Sequence, residues 1–318
     1  MLAVFLDSET LDRGDLDMGP LLKAAPGLKV YPATDPGDIA ERIADAEVVI
    51  LNKVRMNAEL ISSAGKLRLI CLAATGSDNV DLEAARQCGV QVCNIQAYCS
   101  RSVAQHVFAM ILSLNQYLDD FDTLSRGGAW QQHPQFCMLS RPQRELAGLT
   151  LGIIGYGELG KAVAGLADAF GMQVLLCQRP GDPDSHHSRV SLDELLQRSD
   201  VVSLHCPLND HTHHLIGKEQ LALMKPDALL INTARGALVE PLALANALRE
   251  GEIGGAGIDV LEQEPPVNGN ALLNLDIPRL IVTPHIAWAT VQARQRALSQ
   301  IAENIQAYLD GALIRRLD

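Results

Sequence analysis

Aromatic residues are scarce: two Trp, five Tyr and five Phe make up only 4% of the 318 residues. The core must therefore be assembled from Leu, Ile, Val and Ala. Positive charge is also in deficit, with 26 Lys plus Arg against 38 Asp plus Glu and a formal net charge of −12. An acidic surface repels phosphate backbones, which argues against broad binding to nucleic acid or to an anionic membrane. Paired cysteines are missing too. The seven are Cys71, Cys88, Cys93, Cys99, Cys137, Cys177 and Cys206, an odd number with no CxxC spacing. Neither a disulfide scaffold nor a zinc ribbon is expected, and a reducing cytoplasm is the natural compartment. No apolar run approaches the roughly 18 residues that cross a bilayer. The N-terminus reaches Asp7 without a basic start, unlike a signal peptide. What is present, 47% apolar and 20% charged residues, is an ordinary globular composition on a chain long enough for two domains.

Short apolar runs recur through the first hundred residues: Leu2–Leu6, Leu28–Tyr31, Val48–Leu51, Leu67–Ala74 and Val90–Ile95. Runs that are apolar on both faces suit strands of a parallel sheet covered on both sides. Helical patterns lie between them at Pro36–Ala46 and Asp81–Cys88, and this alternation means an α/β layer fold. Ser102–Leu118 reads as one long apolar helix, and Gly127–Pro142 as irregular. A second series starts at Leu149, with strands at Thr150–Ile154, Gln173–Cys177, Val201–His205, Ala228–Asn232, Ala256–Val260 and Leu280–Thr283. Helices are expected at Leu159–Phe170, Leu192–Gln197, Pro241–Glu250 and Val291–Leu309, and Pro180–Arg189 reads as a polar surface stretch.

The segment from Leu151 to Gly160 is an apolar strand running into Gly155-x-Gly157-x-x-Gly160 and then a helix. Gly155 permits the tight turn, Gly157 lets a pyrophosphate approach the backbone, and Gly160 lets the helix pack on the strand. The phosphates sit at the positive helix N-terminus, next to Glu158 and Leu159. The strand before and the helix after turn a weak motif into a dinucleotide fingerprint. The next strand ends in Gln178-Arg179, where an NAD site usually carries Asp or Glu for the ribose 2′-hydroxyl. Without that carboxylate, Arg179 can pair with a 2′-phosphate, so NADPH is expected to be accepted. In the other reading Arg179 faces solvent and Gln178 bonds the ribose of NADH.

Three further strand ends carry unusual polar residues: Asn232-Thr-Ala-Arg235-Gly236, Asp259 to Glu264-Pro265-Pro266, and Pro284-His285 to Trp288. In doubly wound folds ligands bind just beyond the carboxyl ends of strands. A guanidinium there can grip a carboxylate through two parallel hydrogen bonds. Glu264 is presented from a proline-stiffened turn. Each residue alone also has a plain explanation: a surface ion pair for Arg235, a solvated loop for Glu264, a hydrogen-bonded structural role for His285. His211-Thr-His-His214 has no neighbouring Cys or carboxylate ligand set, so no metal is expected there. His106 on its apolar helix reads as a packed or capping residue, and His186-His187 as exposed.

Taken together, Gly155–Gly160, Asn232–Gly236, Gly257–Asp259, Glu264-Pro265 and Pro284-His285 resemble the D-isomer-specific 2-hydroxyacid dehydrogenase family over nearly the whole chain. Ala73–Asp81, Ser102–Phe108 and His285–Trp288 resemble its glycerate dehydrogenase (hydroxypyruvate or glyoxylate reductase) branch. The resemblance implies a Rossmann-type doubly wound parallel sheet inserted into a smaller flavodoxin-like α/β domain. Residues 1–98 plus 287–318 would form the substrate-binding lid domain and 99–286 the dinucleotide-binding domain, with the active site in the cleft. It implies His285 as general acid and base, Glu264 as the partner that orients its ring and favours its charged form, and Arg235 as the group on the substrate carboxylate or carbonyl oxygen. Thr75 and Gly76 would offer backbone N–H groups to the substrate carboxylate, with Ala74 beside them, and Trp288 would wall the pocket. Asp259 would hold the nicotinamide amide. His205, Cys206, Pro207, Thr212, Thr233, Ala234 and Ala287 would line the cofactor. Trp130 lies in the region that forms the dimer arm of the family, so a homodimer is implied.

The reaction implied is hydride transfer between NAD(P)H and a small 2-keto acid: hydroxypyruvate or glyoxylate to D-glycerate or glycolate. The neighbouring possibilities are a dehydrogenase for D-lactate or 3-phosphoglycerate, and an NADH-sensing corepressor-like binding protein, which would keep the same three catalytic residues.

Overall fold

The computed structural model describes residues 1–179 and 189–317, and the chain divides into two compact units, Met1–Cys99 with Ala289–Asp318, and Ser100–Trp288. In the first, β1 (Ala3–Phe5), β2 (Lys29–Val30), β3 (Val48–Leu51), β4 (Leu69–Leu72) and β5 (Gln91–Cys93) form an all-parallel sheet in the order β2-β1-β3-β4-β5. Every residue of β1, β3 and β4 is buried, as their unbroken apolar runs require. Helices α1 (Gly19–Ala24), α2 (Ile39–Ile43), α3 (Ala58–Ser63) and α4 (Leu82–Gln87) connect the strands. Asn57 and Asp81 cap α3 and α4 by accepting the N–H groups of Leu60 and Ala84. Strand order 2-1-3-4-5 is the flavodoxin-like arrangement, whose switch point lies between β1 and β3.

The second unit opens with α5 (Ser100–Gln116) and α6 (Leu118–Arg126). The helix expected at Ser102–Leu118 is α5, which ends two residues earlier and is followed by α6. The break sits at Tyr117, which adopts a left-handed backbone (φ 53°). The Arg279 guanidinium lies 3.9 Å over the Tyr117 ring and donates to the carbonyl of Leu114 in the last turn of α5. A contact made from a residue so distant in sequence leaves no trace in local periodicity.

Strands β6 (Thr150–Ile154), β7 (Gln173–Leu176), β8 (Val201–Leu204), β9 (Leu229–Asn232), β10 (Gly255–Ile258) and β11 (Leu280–Val282) pair in parallel in the order β11-β10-β9-β8-β6-β7. The intervening helices are α7 (Glu158–Ala169), α8 (Leu192–Arg198), α9 (Lys218–Leu223) and α10 (Pro241–Glu250). Proline at the first position starts α10, and Gly251 (φ 68°) closes it in the left-handed conformation. Helix α5 packs on β10 and β9. A Cβ on Gly257 would press on Met110, so a side chain there would push this helix off the sheet. The chain then returns to the first unit as α11 (Val291–Leu309), capped by Thr290 and packed against α1 and β4. Both sheets are parallel and helix-covered, the doubly wound α/β architecture.

The helices that periodicity did not signal, α1, α3, α6 and α9, are six to nine residues long. Two turns bury too few apolar positions to stand out against a loop. The pattern at Pro36–Ala46 resolves into a 3-10 turn, Pro36–Asp38, followed by α2.

Candidate active site

Strand order in the second sheet reverses at β6, with β7 on one side and β8 on the other. The glycine turn leaves β6 at this switch point, where an α/β sheet opens a crevice. Gly155 has φ 97°, and a Cβ on it would collide with the backbone of His205 and Cys206 at the end of β8. A Cβ on Gly160 would run into the carbonyl oxygen of Gly155. Nothing lies within 4 Å of a Cβ built on Gly157. Two glycines thus close the packing and the third faces open space, as a pyrophosphate turn requires. Gly157 N-caps α7 without a side-chain cap, so the N–H groups of Glu158 and Leu159 are presented at the positive end of the helix.

Two buried polar atoms point to the same crevice. His205 Nδ1 and Thr233 Oγ1 have no hydrogen-bond partner among the described residues. Leu204 and Asn232 are register partners on β8 and β9, so the next residues, His205 and Thr233, sit side by side at the carboxyl ends. Buried polar groups are normally satisfied, and a dinucleotide would supply both partners. The residues present therefore fit that cofactor. His205 Nε2 lies 2.8 Å from Ser203 Oγ, and burial pushes the imidazole down to about 4 from 6.5. The unfolded chain takes up this proton as pH falls through 6.5, whereas the folded chain resists until about 4. Stability is complete above 6.5 and is lost across that window by up to about 3 kcal/mol. Denaturant midpoints of the native protein should fall between pH 6.5 and 4, and His205→Gln should flatten that slope. Equal slopes would mean that another group carries it.

Cys206 is buried, and its thiol is pushed up to about 11 by desolvation, so it stays a neutral group. Pro207 is exposed, and its carbonyl accepts the buried Thr212 hydroxyl at 2.7 Å, which closes the loop after β8. Ala234 is buried and its N–H donates to Asn232 Oδ1. Gln178 is pinned by its N–H to the Val190 carbonyl, and Arg179 beyond it is exposed. Residues 180–188 of the polar stretch, His186 and His187 among them, lie outside the described residues.

The three polar strand ends converge. Gly236 is packed so closely that a Cβ would overlap the backbone of Leu261 and Glu262, which draws the Arg235 turn against the Glu264 turn. The fully buried Asn232 shapes that turn, donating to the Arg235 carbonyl at 2.9 Å. Arg235 is exposed, and its Nη1 donates to the Ala234 carbonyl at 2.8 Å. Glu264 Oε1 accepts the Leu261 N–H at 2.9 Å, and Oε2 lies 2.6 Å from His285 Nδ1. A carboxylate only accepts, so Nδ1 carries the proton and Nε2 is the nitrogen left for chemistry. The side chains of His285 and Glu264 are 31% and 35% exposed, open enough to meet a ligand.

His285 has a left-handed backbone, φ 56°, held from below by Asp259. The His285 N–H donates to the Asp259 carbonyl at 2.7 Å. Asp259 Oδ1 accepts the Ile286 N–H and Oδ2 the Ala287 N–H, each at 2.9 Å. Its side chain has no exposed surface. This carboxylate therefore staples the loop that carries His285, bonding partners 27 and 28 residues ahead that the local sequence does not name. Ala287 is buried, and Trp288 Nε1 donates to the His285 carbonyl at 3.0 Å.

In the first unit, Ala74, Thr75 and Gly76 follow β4. The Thr75 hydroxyl donates to the Ile95 carbonyl at 2.9 Å, and Asn94 Nδ2 donates to the Thr75 carbonyl at 2.8 Å. Among the described residues the N–H groups of Thr75 and Gly76 donate to nothing, which leaves two adjacent backbone donors at a strand end. Sequence reasoning missed Asp7. Its buried carboxylate accepts the N–H groups of Asn52, Lys53 and Val54 at 2.6–3.2 Å and holds the loop after β3 beside Ala74–Gly76.

Comparison with known proteins bears on this geometry. Residues 108–287 match the family model described as D-isomer specific 2-hydroxyacid dehydrogenase, NAD binding domain. A glycerate dehydrogenase of Methylorubrum extorquens is 43% identical over 97% of this chain and 96% of its own length. A hydroxypyruvate reductase of Blautia hydrogenotrophica is 36% identical, covering 98% of each chain. The crystal structure of a D-lactate dehydrogenase from Aquifex aeolicus, complexed with NAD and lactic acid, superposes with a TM-score of 0.80 at 33% identity, covering 97% of this chain and 96% of that one.

Proposed function

The chain belongs to the D-isomer specific 2-hydroxyacid dehydrogenase family, and from that membership we propose that it reduces a small 2-keto acid, hydroxypyruvate or glyoxylate, to D-glycerate or glycolate. The observation that carries the proposal is the Glu264–His285 pair, which commits Nδ1 and leaves Nε2 for the substrate. Bound NAD(P)H supplies the hydride. In the reduction, protonated His285 would pass its Nε2 proton to the substrate carbonyl oxygen, and the ring would become neutral while keeping the Nδ1–H on Glu264. In the oxidative direction neutral Nε2 takes the hydroxyl proton back. Arg235 binds the substrate carboxylate and offsets negative charge that grows on the oxygen. On the first unit, the Thr75 and Gly76 N–H groups are the donors we assign to a carboxylate, and on the second Trp288 is assigned to the pocket wall.

We assign residues Ser100–Trp288 to cofactor binding, with the pyrophosphate at Gly155–Gly160 and the nicotinamide side at His205, Thr233, Ala234 and Ala287. The packed Asp259 supports the nicotinamide side from beneath. Gln178-Arg179 favours acceptance of NADPH, because a neutral residue followed by a guanidinium suits a 2′-phosphate. Steady-state assays with hydroxypyruvate, glyoxylate and pyruvate, each with NADH and NADPH, test the proposal. Turnover should be highest with the first two acids, and Arg179→Ala should weaken NADPH about tenfold while NADH changes less than twofold. Highest turnover with pyruvate would make the enzyme a D-lactate dehydrogenase. Tight cofactor binding without turnover would make it a sensor. Equal effects of Arg179→Ala on the two cofactors would remove Arg179 from specificity.

A homodimer is supported by the apolar side chains on the arm region. Trp130, Phe136 and Leu139 are 53%, 89% and 84% exposed in the single chain, more than large apolar groups normally show to water. The odd number of cysteines, with no CxxC spacing, favours a reducing cytoplasm. Among the described residues no helix is long and apolar enough to cross a membrane.

A further inference from the structure

We infer that His106 and Thr283 are positioning residues: a hydrogen-bonded line from His106 through the Thr283 hydroxyl to Asp259 holds the loop that presents His285. The inference rests on the reading of His285 as the proton donor. His106 Nε2 lies 3.0 Å from Thr283 Oγ1, and the Thr283 hydroxyl donates to Asp259 Oδ1 at 2.5 Å. His106 Nε2 is itself 3.7 Å from the same carboxylate oxygen.

Proton counting sets the direction of this line. A threonine hydroxyl has one proton. Asp259 already accepts the Ile286 and Ala287 N–H groups, one on each oxygen, which is the bonding of a carboxylate. The Thr283 proton therefore goes to Asp259, and Thr283 Oγ1 can only accept from His106. His106 must carry a hydrogen on Nε2. In this arrangement the imidazole locks the hydroxyl rotor, and the locked hydroxyl completes the donor set on Asp259. That carboxylate has no exposed surface, so no water substitutes for a missing donor.

Helix α5 grips the loop at a second point. Ser102 stands four residues before His106, one turn away on the same helix face. Its buried hydroxyl donates to the Ala287 carbonyl at 2.7 Å. The segment from Thr283 to Ala287 is thus tied at both ends to one rigid helix, with His285 in its middle. Left-handed backbone is unfavourable at a non-glycine residue, so the φ of 56° at His285 persists only while its surroundings impose it. Loosening one tie lets the loop relax, and Nε2 drifts from the position at which it meets a carbonyl oxygen.

Paired substitutions test this. His106→Leu removes the donor, whereas the amide nitrogen of His106→Gln reaches the place of Nε2. Thr283→Val removes the hydroxyl at constant shape, whereas Thr283→Ser keeps it. The leucine and valine variants should lose about tenfold in kcat, with the cofactor Kd within twofold of native. The glutamine and serine variants should recover most of that loss. A generally weakened fold would not produce this split, because it would not separate kcat from cofactor binding or respond to the donor alone. Native kcat in His106→Leu or Thr283→Val, or glutamine and serine variants no better than their apolar counterparts, would overturn the inference. If His106→Leu does not fold, the valine and serine pair decides. His285→Gln serves as a separate control: full activity there would sink the proton-donor reading itself, whereas an inactive His285→Gln beside a fully active His106→Leu would sink only the positioning line.

Discussion

Replacing His285 by alanine should lower kcat by about 10³-fold, within the range of 10²- to 10⁴-fold that a positioned general acid contributes. The expectation follows from which nitrogen is committed. Nδ1 is held at 2.6 Å by Glu264, so in the proposed reaction protonation and deprotonation of substrate would pass through Nε2. Neither His205 nor His106 can take its place. His205 is held neutral by burial, with its value pushed down to about 4, and His106 is bound to Thr283. The fold should tolerate the change, because Glu264 is 35% exposed and keeps its bond to the Leu261 N–H. The measurement is kcat together with the cofactor Kd and the thermal midpoint. A large fall in kcat with the other two near native supports the assignment. A variant that keeps more than a tenth of native kcat would show that the proton comes from elsewhere.

The second large effect is expected at Arg235. Arg235→Gln should raise the KM for the keto acid by about 10- to 100-fold, the worth of a charge-assisted pair at 1.5–3 kcal/mol. Arg235→Lys should recover only part of the loss, because an ammonium keeps the charge but not the planar fork that matches a carboxylate. The backbone at this position is set independently of the side chain. Asn232 ties the turn from within, and Gly236 lets it lie against Leu261 and Glu262. Neither substitution should therefore displace Glu264 or His285, and the cofactor Kd should stay native. If the KM for keto acid is unchanged in Arg235→Gln, the carboxylate is held by other donors, and the Thr75 and Gly76 N–H groups are the next to examine.

Much of this site was legible in one dimension because its signals are local. The glycine spacing 155-157-160 can be read without coordinates, since the turn, the close strand contact and the helix start are made by residues within a few positions of each other. The same holds for Pro284-His285 at a strand end and for Pro241 and Gly251 at the two ends of a helix. What could not be read has partners far along the chain. The break at Tyr117 depends on Arg279. The staple on the His285 loop depends on Asp259 meeting Thr283, Ile286 and Ala287, and on His106 arriving from a helix 177 residues earlier. On its own, His106 is one polar residue in an apolar helix, and nothing in its neighbours names what it bonds.

The order of residues by itself determined the alternation of parallel strands and helices, the phosphate turn, and which acid, base and guanidinium stand at strand ends. These rest on periodicity, glycine geometry and proline stiffness, all of which act over a single turn or strand. Only the tertiary structure decided which nitrogen of His285 is left for chemistry, how its left-handed backbone is held, and which buried atoms, His205 Nδ1 and Thr233 Oγ1, have no partner among the described residues. Those follow from hydrogen bonds between segments that meet only after the sheet has formed, and bonds of that kind leave no mark on the local pattern of residues.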